Sequence, residues 1–101
     1  MDTFVALADP TRRQIIESLA AGEASFGALA EQFEMSRPAV SQHLKVLRES
    51  GIVAVRADAQ RRIYRLSDDG LDELGAWLGR VRSFWTQRLD NLEEALGKTD
   101  R

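Results

Sequence analysis

Residues 36–66 read SRPAVSQHLKVLRESGIVAVRADAQRRIYRL, and this stretch decides the fold. Ser36 can cap the N-terminus of a helix, because its hydroxyl oxygen can accept a hydrogen bond from a backbone N–H of the first turn. Proline is tolerated at the start of a helix, as at Pro38, and Gly51 can end the helix in the left-handed conformation. The stretch therefore opens with a predicted helix between Ser36 and Gly51.

The second half of the same stretch has the pattern of a β-hairpin. Its apolar side chains alternate along two predicted strands, at Val53 and Val55 and then at Tyr64 and Leu66. We predict a hairpin over residues 52–66 with its tip at Ala57-Asp58-Ala59-Gln60, beside Arg61 and Arg62. A helix followed by a basic hairpin is the order of a recognition helix and a wing.

The residues before this stretch predict three shorter helices. One covers residues 3–8, the next runs from Pro10 to about residue 21, and the third begins at Ser25. The third and fourth helices then form a helix-turn-helix over residues 25–50. Glu34 occupies a turn position that commonly holds glycine, because φ is often positive there, and we expect this to cost up to about 1 kcal/mol.

Positive charge is concentrated in the stretch that decides the fold. The whole chain has a formal net charge of −2, but residues 36–66 hold seven basic and two acidic side chains, against two and six in residues 1–35 and five and eight in residues 67–101. A local basic patch is what contact with the nucleic-acid backbone requires. A basic run can also be only a solvated surface, and here the helix and hairpin favour nucleic acid.

The predicted recognition helix has an apolar and a polar face. At 100° per residue, Val40, Leu44 and Leu47 share the core side, and His43 lies at its edge, where packing or a phosphate contact is expected. The candidate DNA-binding residues, on the exposed side and on the wing, are Ser36, Arg37, Pro38, Ser41, Gln42, His43, Lys45, Arg61 and Arg62.

These side chains suit different parts of DNA. Gln42 can form two hydrogen bonds with an adenine edge, and Arg37 can contact a guanine edge or a phosphate. Ser41 suits a base or the backbone, and Lys45 suits a phosphate. The two wing arginines can enter the adjacent minor groove or bind its backbone.

Composition predicts a single domain over residues 1–101. Hydrophobic residues make up 44% of the chain, which has no cysteine and one histidine. The absence of cysteine excludes disulfides, thiolate metal sites and thiol catalysis. Because the chain also has a single histidine and no phosphate-binding glycine loop, we expect no metal, no cofactor and no enzymatic activity. No apolar run is long enough for a membrane span and the first residues are not a signal peptide, so we expect no membrane contact and a cytoplasmic location.

Residues 68–96 predict one long helix with an apolar stripe. About thirty residues would span about 45 Å, longer than so small a domain can cover, so part of the helix must pack on another chain. Gly75 and Gly79 suggest a close approach between helices or a bend, since each costs about 1 kcal/mol relative to alanine. The stripe recurs at three- and four-residue steps, at Leu71, Leu74, Leu78, Val81, Trp85, Leu89, Leu92 and Leu96.

Three motifs cover nearly the whole chain, namely ALADPTRRQIIESL, LAEQFEMSRPAVSQHLKVLRESGIVAVR and RRIYRLSDDGL. Together they resemble the ArsR family of bacterial winged-helix repressors. The resemblance implies a mainly α winged helix-turn-helix with a small β-hairpin. It also implies two recognition helices in successive major grooves of an imperfect palindrome, and repression of a promoter that is often the protein's own.

A homodimer built on residues 1–9 and 68–97 is a further implication of the resemblance. Its predicted interface consists of Phe4, Leu7, Leu74, Leu78, Val81, Trp85, Leu89 and Leu92. Metal-sensing members carry Cys-x-Cys in the third helix, where this chain has Ser25-Phe26-Gly27, or a His/Asp/Glu set in the last helix, which here has no histidine. The chain is similar to a non-metal branch with an aromatic-rich last helix.

Two alternatives stay open at the level of sequence. Trp77, Phe84 and Trp85 could line a pocket for an unknown small hydrophobic effector, although packing in an interface is the favoured interpretation. A winged helix that binds protein without binding DNA is the alternative function. Such a protein would be expected to expose apolar residues where this chain has Arg37, Ser41, Gln42 and Lys45.

Overall fold

The computed structural model describes residues 2–99 and has, within them, five α-helices and a three-stranded antiparallel sheet. This confirms the mainly α fold with a hairpin wing. The elements follow the chain as α1 Thr3–Leu7, α2 Pro10–Ala20, β1 Ala24–Ser25, α3 Phe26–Gln32, α4 Arg37–Glu49, β2 Val53–Asp58, β3 Arg61–Leu66 and α5 Asp68–Thr99.

Side-chain caps determine where α2, α3 and α4 begin. Asp9 accepts hydrogen bonds from two backbone N–H groups at 2.8 and 3.1 Å. Ser25 accepts one from the next turn at 3.1 Å, and Ser36 accepts one from the N–H of Ala39 at 3.2 Å. Each bond satisfies an N–H that has no partner within its helix, which is why all three helices begin where the sequence predicts.

Gly51 closes the recognition helix α4 two residues after its last residue, Glu49, as predicted. Gly51 has a φ of +80°, and its N–H donates to the Arg48 carbonyl at 3.0 Å. The N–H of Ile52 donates to the Leu47 carbonyl at 3.0 Å, which completes a Schellman motif. The chain therefore turns sharply from α4 into the hairpin, and the glycine permits this turn without Cβ strain.

The hairpin differs from its prediction at the tip. The predicted tip included Ala57 and Asp58, but these residues pair with Arg62 and Arg61 in the ladder of β2 and β3, so the turn is only Ala59 and Gln60. A two-residue turn needs a positive φ, and Ala59 supplies it with a φ of +57°. The ladder therefore extends further toward the tip than predicted.

A third strand, β1, was not predicted. It has two residues, and Ala24 and Ser25 pair with Tyr64 and Ile63 on the edge of β3. Two residues are too few to show an alternating pattern in a sequence. The strand attaches the start of α3 directly to the hairpin.

The core lies between the helix-turn-helix, α2 and the base of the hairpin. Val40, Leu44 and Leu47 of α4 are at most 1% exposed, which confirms the predicted inward face. Fully burying such a side chain contributes about 1.5–3 kcal/mol. The buried cluster consists of Ala6, Ile15, Leu19, Leu29, Val40, Leu44, Val46, Leu47, Ile52, Val53 and Tyr64.

The predicted strain at Glu34 is wrong. Among residues 2–99, Ala59 is the one non-glycine residue with a positive φ, so Glu34 has an ordinary negative φ. The turn between α3 and α4 instead begins at Phe33, whose extended backbone has φ −107° and ψ 137°. A bend made in this way needs no glycine.

Replacing Glu34 by glycine should lower the melting temperature by a few degrees. Glycine gains freedom in the unfolded chain that folding must remove, a cost of about 0.5–1 kcal/mol. Thermal unfolding followed by circular dichroism measures the effect. Ala59→Gly is the matched control and should shift the melting temperature upward, since glycine relieves the left-handed backbone there. An unchanged or higher value for Glu34→Gly would contradict the turn geometry.

Candidate nucleic-acid interface

The exposed side of α4 presents the predicted contact residues to solvent. The side chains opposite Val40, Leu44 and Leu47 are polar or charged, apart from Pro38. Eight of the nine predicted DNA-binding residues are exposed, namely Ser36, Arg37, Pro38, Ser41, Gln42, Lys45, Arg61 and Arg62. One face of the domain thus carries donors and positive charge, as contact with a nucleic acid requires.

His43 is half-buried and differs in this from the other eight residues. Its Nδ1 lies 3.5 Å from Nη1 of Arg12. Arg12 in turn donates from Nε to the Ala6 carbonyl at 2.6 Å and from Nη2 to the Val5 carbonyl at 3.3 Å, at the end of α1. His43 therefore lies where α1 and α2 meet α4, in agreement with the expected packing role.

A salt bridge holds the base of the wing. Nη1 and Nη2 of Arg56 donate to the two carboxylate oxygens of Glu23 at 2.6 and 2.7 Å. This hydrogen-bonded pair lowers the pKa of Glu23 and raises the pKa of Arg56, so both stay charged across the neutral range. The pair joins β2 to the loop between α2 and β1, although both side chains remain about half exposed.

A cavity of about 320 Å³ lies between the hairpin tip, the start of α3 and the start of α4. Phe26 and Gly27 line it from α3, behind Ser25, and Arg37 lines it from α4. The side facing the wing is lined by Gln60, Arg61 and Arg62. The cavity therefore brings the predicted arginine contacts of helix and wing to one place.

The predicted interface residues of α1 and α5 form an apolar surface that the chain itself leaves uncovered. Leu7, Leu74 and Val81 are half-buried. The other five are at least 38% exposed, namely Phe4, Leu78, Trp85, Leu89 and Leu92. Exposed apolar patches on this scale mark sites of association.

The aromatic residues of α5 pack in pairs. Trp77 meets Phe4 of α1 edge to face with ring centroids 5.0 Å apart, and Phe84 meets Trp85 in the same way at 5.9 Å. The Phe4–Trp77 pair connects α1 to α5, a contact that the sequence prediction did not include. A Cβ added at Gly75 or Gly79 would meet no atom within 4 Å in this chain, so the expected close approach is not made within one chain.

Comparison with known proteins identifies the family. A family model described as "Bacterial regulatory protein, arsR family" matches residues 9–55. The HTH-type transcriptional regulator Rv2034 of Mycobacterium tuberculosis is 50% identical over 84 residues, which are 83% of this chain and 76% of that protein. The chain belongs to the ArsR family. It is therefore a DNA-binding transcriptional regulator with a winged helix-turn-helix fold.

Two further proteins are similar over most of this ArsR-family chain. The transcriptional repressor SdpR of Bacillus subtilis is 32% identical over 76% of this chain and 86% of its own length. A solved structure titled "Possible transcriptional regulator for arsenical resistance" superposes with a TM-score of 0.74 at 43% identity, covering 91% of this chain and 93% of that one. The likeness to this structure includes the long last helix, because the coverage extends beyond the family model.

The described part of this ArsR-family chain lacks two kinds of feature. Between residues 2 and 99, no three histidine, cysteine, aspartate or glutamate side chains are grouped as a metal ion would need. No helix in the same range is both long and apolar enough to cross a bilayer. At the start of α3, Ser25, Phe26 and Gly27 line the cavity beside Arg37.

Phe26 and Arg12 are the site residues that sequence patterns missed. Phe26 has the helical spacing of a core residue and does pack against the core, but its ring also lies under the guanidinium of Arg37. Arg12 of α2 donates to the Val5 and Ala6 carbonyls of α1, and its Nη1 lies 3.5 Å from Nδ1 of His43 in the recognition helix. Contacts of both kinds depend on how separate helices pack, so no local pattern reveals them.

Proposed function

We propose that the protein is a transcriptional repressor that binds an imperfect palindromic operator as a homodimer, with its own promoter among the targets. The observation that carries this proposal is the continuous polar and basic surface formed by the exposed side of α4 and the hairpin tip. Two of the similar proteins are named repressors, which supports repression rather than activation. Its place of action would be the cytoplasm.

In the proposed complex, α4 lies in the major groove and the wing lies beside it. Gln42 is well placed to read an adenine edge, since it is exposed on the side of α4 opposite the buried Val40 and Leu47. Ser41 would contact a base or the backbone, and Lys45 a phosphate. Arg61 and Arg62 would contact the backbone or the minor groove at the hairpin tip.

The exposed surface of α1 and α5 supports a homodimer. As a helix of 32 residues, α5 is about 48 Å long, and the whole described chain extends 69 Å. Much of the apolar stripe therefore lies beyond the rest of its own chain. A second copy with the same stripe is the partner that fits, because a two-fold interface places a surface against itself. The family favours the same arrangement.

Two other sequence-based hypotheses lead to different expectations. A protein-binding winged helix would need apolar side chains on the outer face of α4, which instead carries Ser41, Gln42 and Lys45. A small hydrophobic effector stays a prediction, and its contact residues would be Trp77, Phe84 and Trp85.

Fluorescence anisotropy with DNA from upstream of the protein's own coding region tests the proposed function. We expect tight binding that weakens with salt, exceeds binding to scrambled DNA and comes from a species with the mass of a dimer. Equal binding to both DNAs, followed by no enriched sequence in a genome-wide selection, would contradict the proposal and favour the protein-binding alternative.

The variants Gln42→Ala and Arg62→Ala should separate base reading from backbone binding. Loss of Gln42 should relax preference at one base pair per half-site, by about 1–3 kcal/mol. Loss of Arg62 should weaken binding to all sequences alike and reduce the slope of log affinity against log salt by about one. Competition with single-base operator variants at several salt concentrations measures both effects. Unchanged affinity in both variants would show that the contacts are assigned wrongly.

A further inference from the structure

Phe26 has an environment that core packing alone does not explain. Its ring is half-buried and packs against the core cluster, at the first residue of α3. The guanidinium carbon of Arg37 lies 5.8 Å from the centroid of this ring. A guanidinium over a ring at this distance makes a cation–π contact, so one predicted DNA-binding arginine rests on an aromatic side chain from another helix.

The guanidinium groups around this contact lack acidic partners. Arg37 lines the cavity together with Arg61 and Arg62, and the cavity lining contains no carboxylate. The salt bridge between Arg56 and Glu23 at the base of the wing involves none of these three arginines. Three positive side chains therefore line one open cavity, and Asp58, which pairs with Arg61 in the ladder, does not line it.

Within the described part of the chain, the Arg37 side chain donates no hydrogen bond, so its N–H groups are available to a ligand. A guanidinium uses its face when it stacks, and its N–H groups lie in its plane, where they can bind an anion in a forked arrangement. An arginine on a flexible stem must lose much of its side-chain entropy to bind, and a contact that preselects its position reduces that loss. The ring therefore prepares Arg37 for an anionic group in the cavity.

We propose that Phe26 is a positioning residue that holds Arg37 for one DNA backbone phosphate, seated in the cavity between the recognition helix and the wing. This inference rests on the proposed function. The cavity lies where the DNA backbone would pass from the groove occupied by α4 to the hairpin tip. A phosphate diester carries one negative charge, which complements a cavity lined by three arginines.

Methylphosphonate scanning tests this proposal, because it replaces one backbone phosphate at a time by a neutral group. The full-length protein is titrated with each modified operator by anisotropy. For the wild type we expect one phosphate per half-site to show a clear loss of affinity. In Phe26→Leu the affinity for unmodified DNA should fall about two- to fivefold, and the loss from neutralising that phosphate should shrink.

Two further variants keep the test independent of folding. Phe33→Leu changes another half-buried aromatic residue that packs against the core, but no arginine lies over its ring. It should resemble Phe26→Leu in melting temperature and keep the full methylphosphonate penalty. Arg37→Lys changes an exposed side chain, keeps its charge and removes the planar fork. The affinity loss from neutralising that phosphate should therefore shrink as in Phe26→Leu, without loss of stability.

The outcomes distinguish this inference from the proposed function. A full penalty retained in Phe26→Leu and Arg37→Lys, or the same change in Phe33→Leu as in Phe26→Leu, would overturn the role of Phe26. A scan in which no phosphate matters to the wild type would overturn the phosphate site while leaving operator binding intact. Wild-type protein that binds operator and scrambled DNA equally would instead contradict the proposed function.

Discussion

Replacing Leu78 by aspartate is expected to produce a folded monomer whose operator affinity is at least about a hundredfold lower. Leu78 lies in the middle of the α5 stripe and is 51% exposed within its own chain, so the change leaves the core cluster intact. In the proposed dimer the new carboxylate would be buried without a partner, which costs several kcal/mol. A monomer binds a single half-site and therefore loses the gain in affinity, about 10²–10⁴-fold, that comes from linking two DNA-binding domains.

Sedimentation velocity, circular dichroism and anisotropy together check this expectation. Gln87→Asp is the matched control, because residue 87 is also exposed on α5 but lies 180° around the helix from Leu78 and about 160° from Trp85 at 100° per residue. It adds the same charge and should keep the mass of a dimer and the wild-type affinity. A Leu78→Asp protein that stays dimeric would place the interface elsewhere, and a monomer with undiminished affinity would contradict cooperative binding to two half-sites.

The parts of the fold that sequence predicts are those with strong local signals. The two faces of α4 follow from the spacing of Val40, Leu44 and Leu47, and its ends follow from Ser36 and Gly51. A side chain that can satisfy an orphan N–H, or a glycine that can take a positive φ, has this effect wherever it occurs. The exposure of the candidate DNA-binding residues of α4 was predictable for the same reason, because they are what remains opposite the buried face.

The parts that sequence did not predict depend on partners distant in the chain. Strand β1 exists because Ala24 and Ser25 meet the edge of β3, about forty residues later. The turn after α3 needs no glycine because Phe33 adopts an extended backbone, whereas the expectation for Glu34 came from turns that commonly hold glycine. The contact of Arg37 with Phe26 likewise depends on how α3 and α4 pack.

The glycines also show that a role which depends on distant contacts is not visible in the sequence. Gly75 and Gly79 stood out in the sequence because they interrupt a helix, yet neither has a close neighbour within this chain. Gly70 did not stand out, but it is buried where the start of α5 crosses the end of α4. Its N–H donates to the Gly51 carbonyl at 3.0 Å, so the two glycines bring two backbones into direct contact.

The junction around Gly70 connects the candidate DNA-binding surface to the exposed apolar surface of α1 and α5. The N–H of Ser67 donates to the Ile52 carbonyl at 2.7 Å, next to the Gly70 bond. Thr3 of α1 is buried there, and its Oγ1 lies 3.3 Å from both the Ser50 carbonyl and a carboxylate oxygen of Glu73. Helices α1 and α5 are thereby attached to the point where α4 ends and the wing begins.

Replacing Gly70 by alanine should therefore destabilise the fold by about 2 kcal/mol or more. The new Cβ would lie 2.6 Å from the Gly51 carbonyl oxygen and 2.9 Å from the Ile52 Cα, and neither backbone atom can rotate away as a side chain would. Overpacking typically costs about 1–3 kcal/mol, and a shift of α5 would also lengthen the Gly70–Gly51 hydrogen bond. For a domain of this size we expect the melting temperature to fall by about ten degrees.

Gly27→Ala is the matched control, since a Cβ at that helical position meets nothing within 4 Å and should be neutral or stabilising. Equal melting temperatures for the two variants would show that α5 does not approach α4 as closely as the Gly70–Gly51 contact indicates.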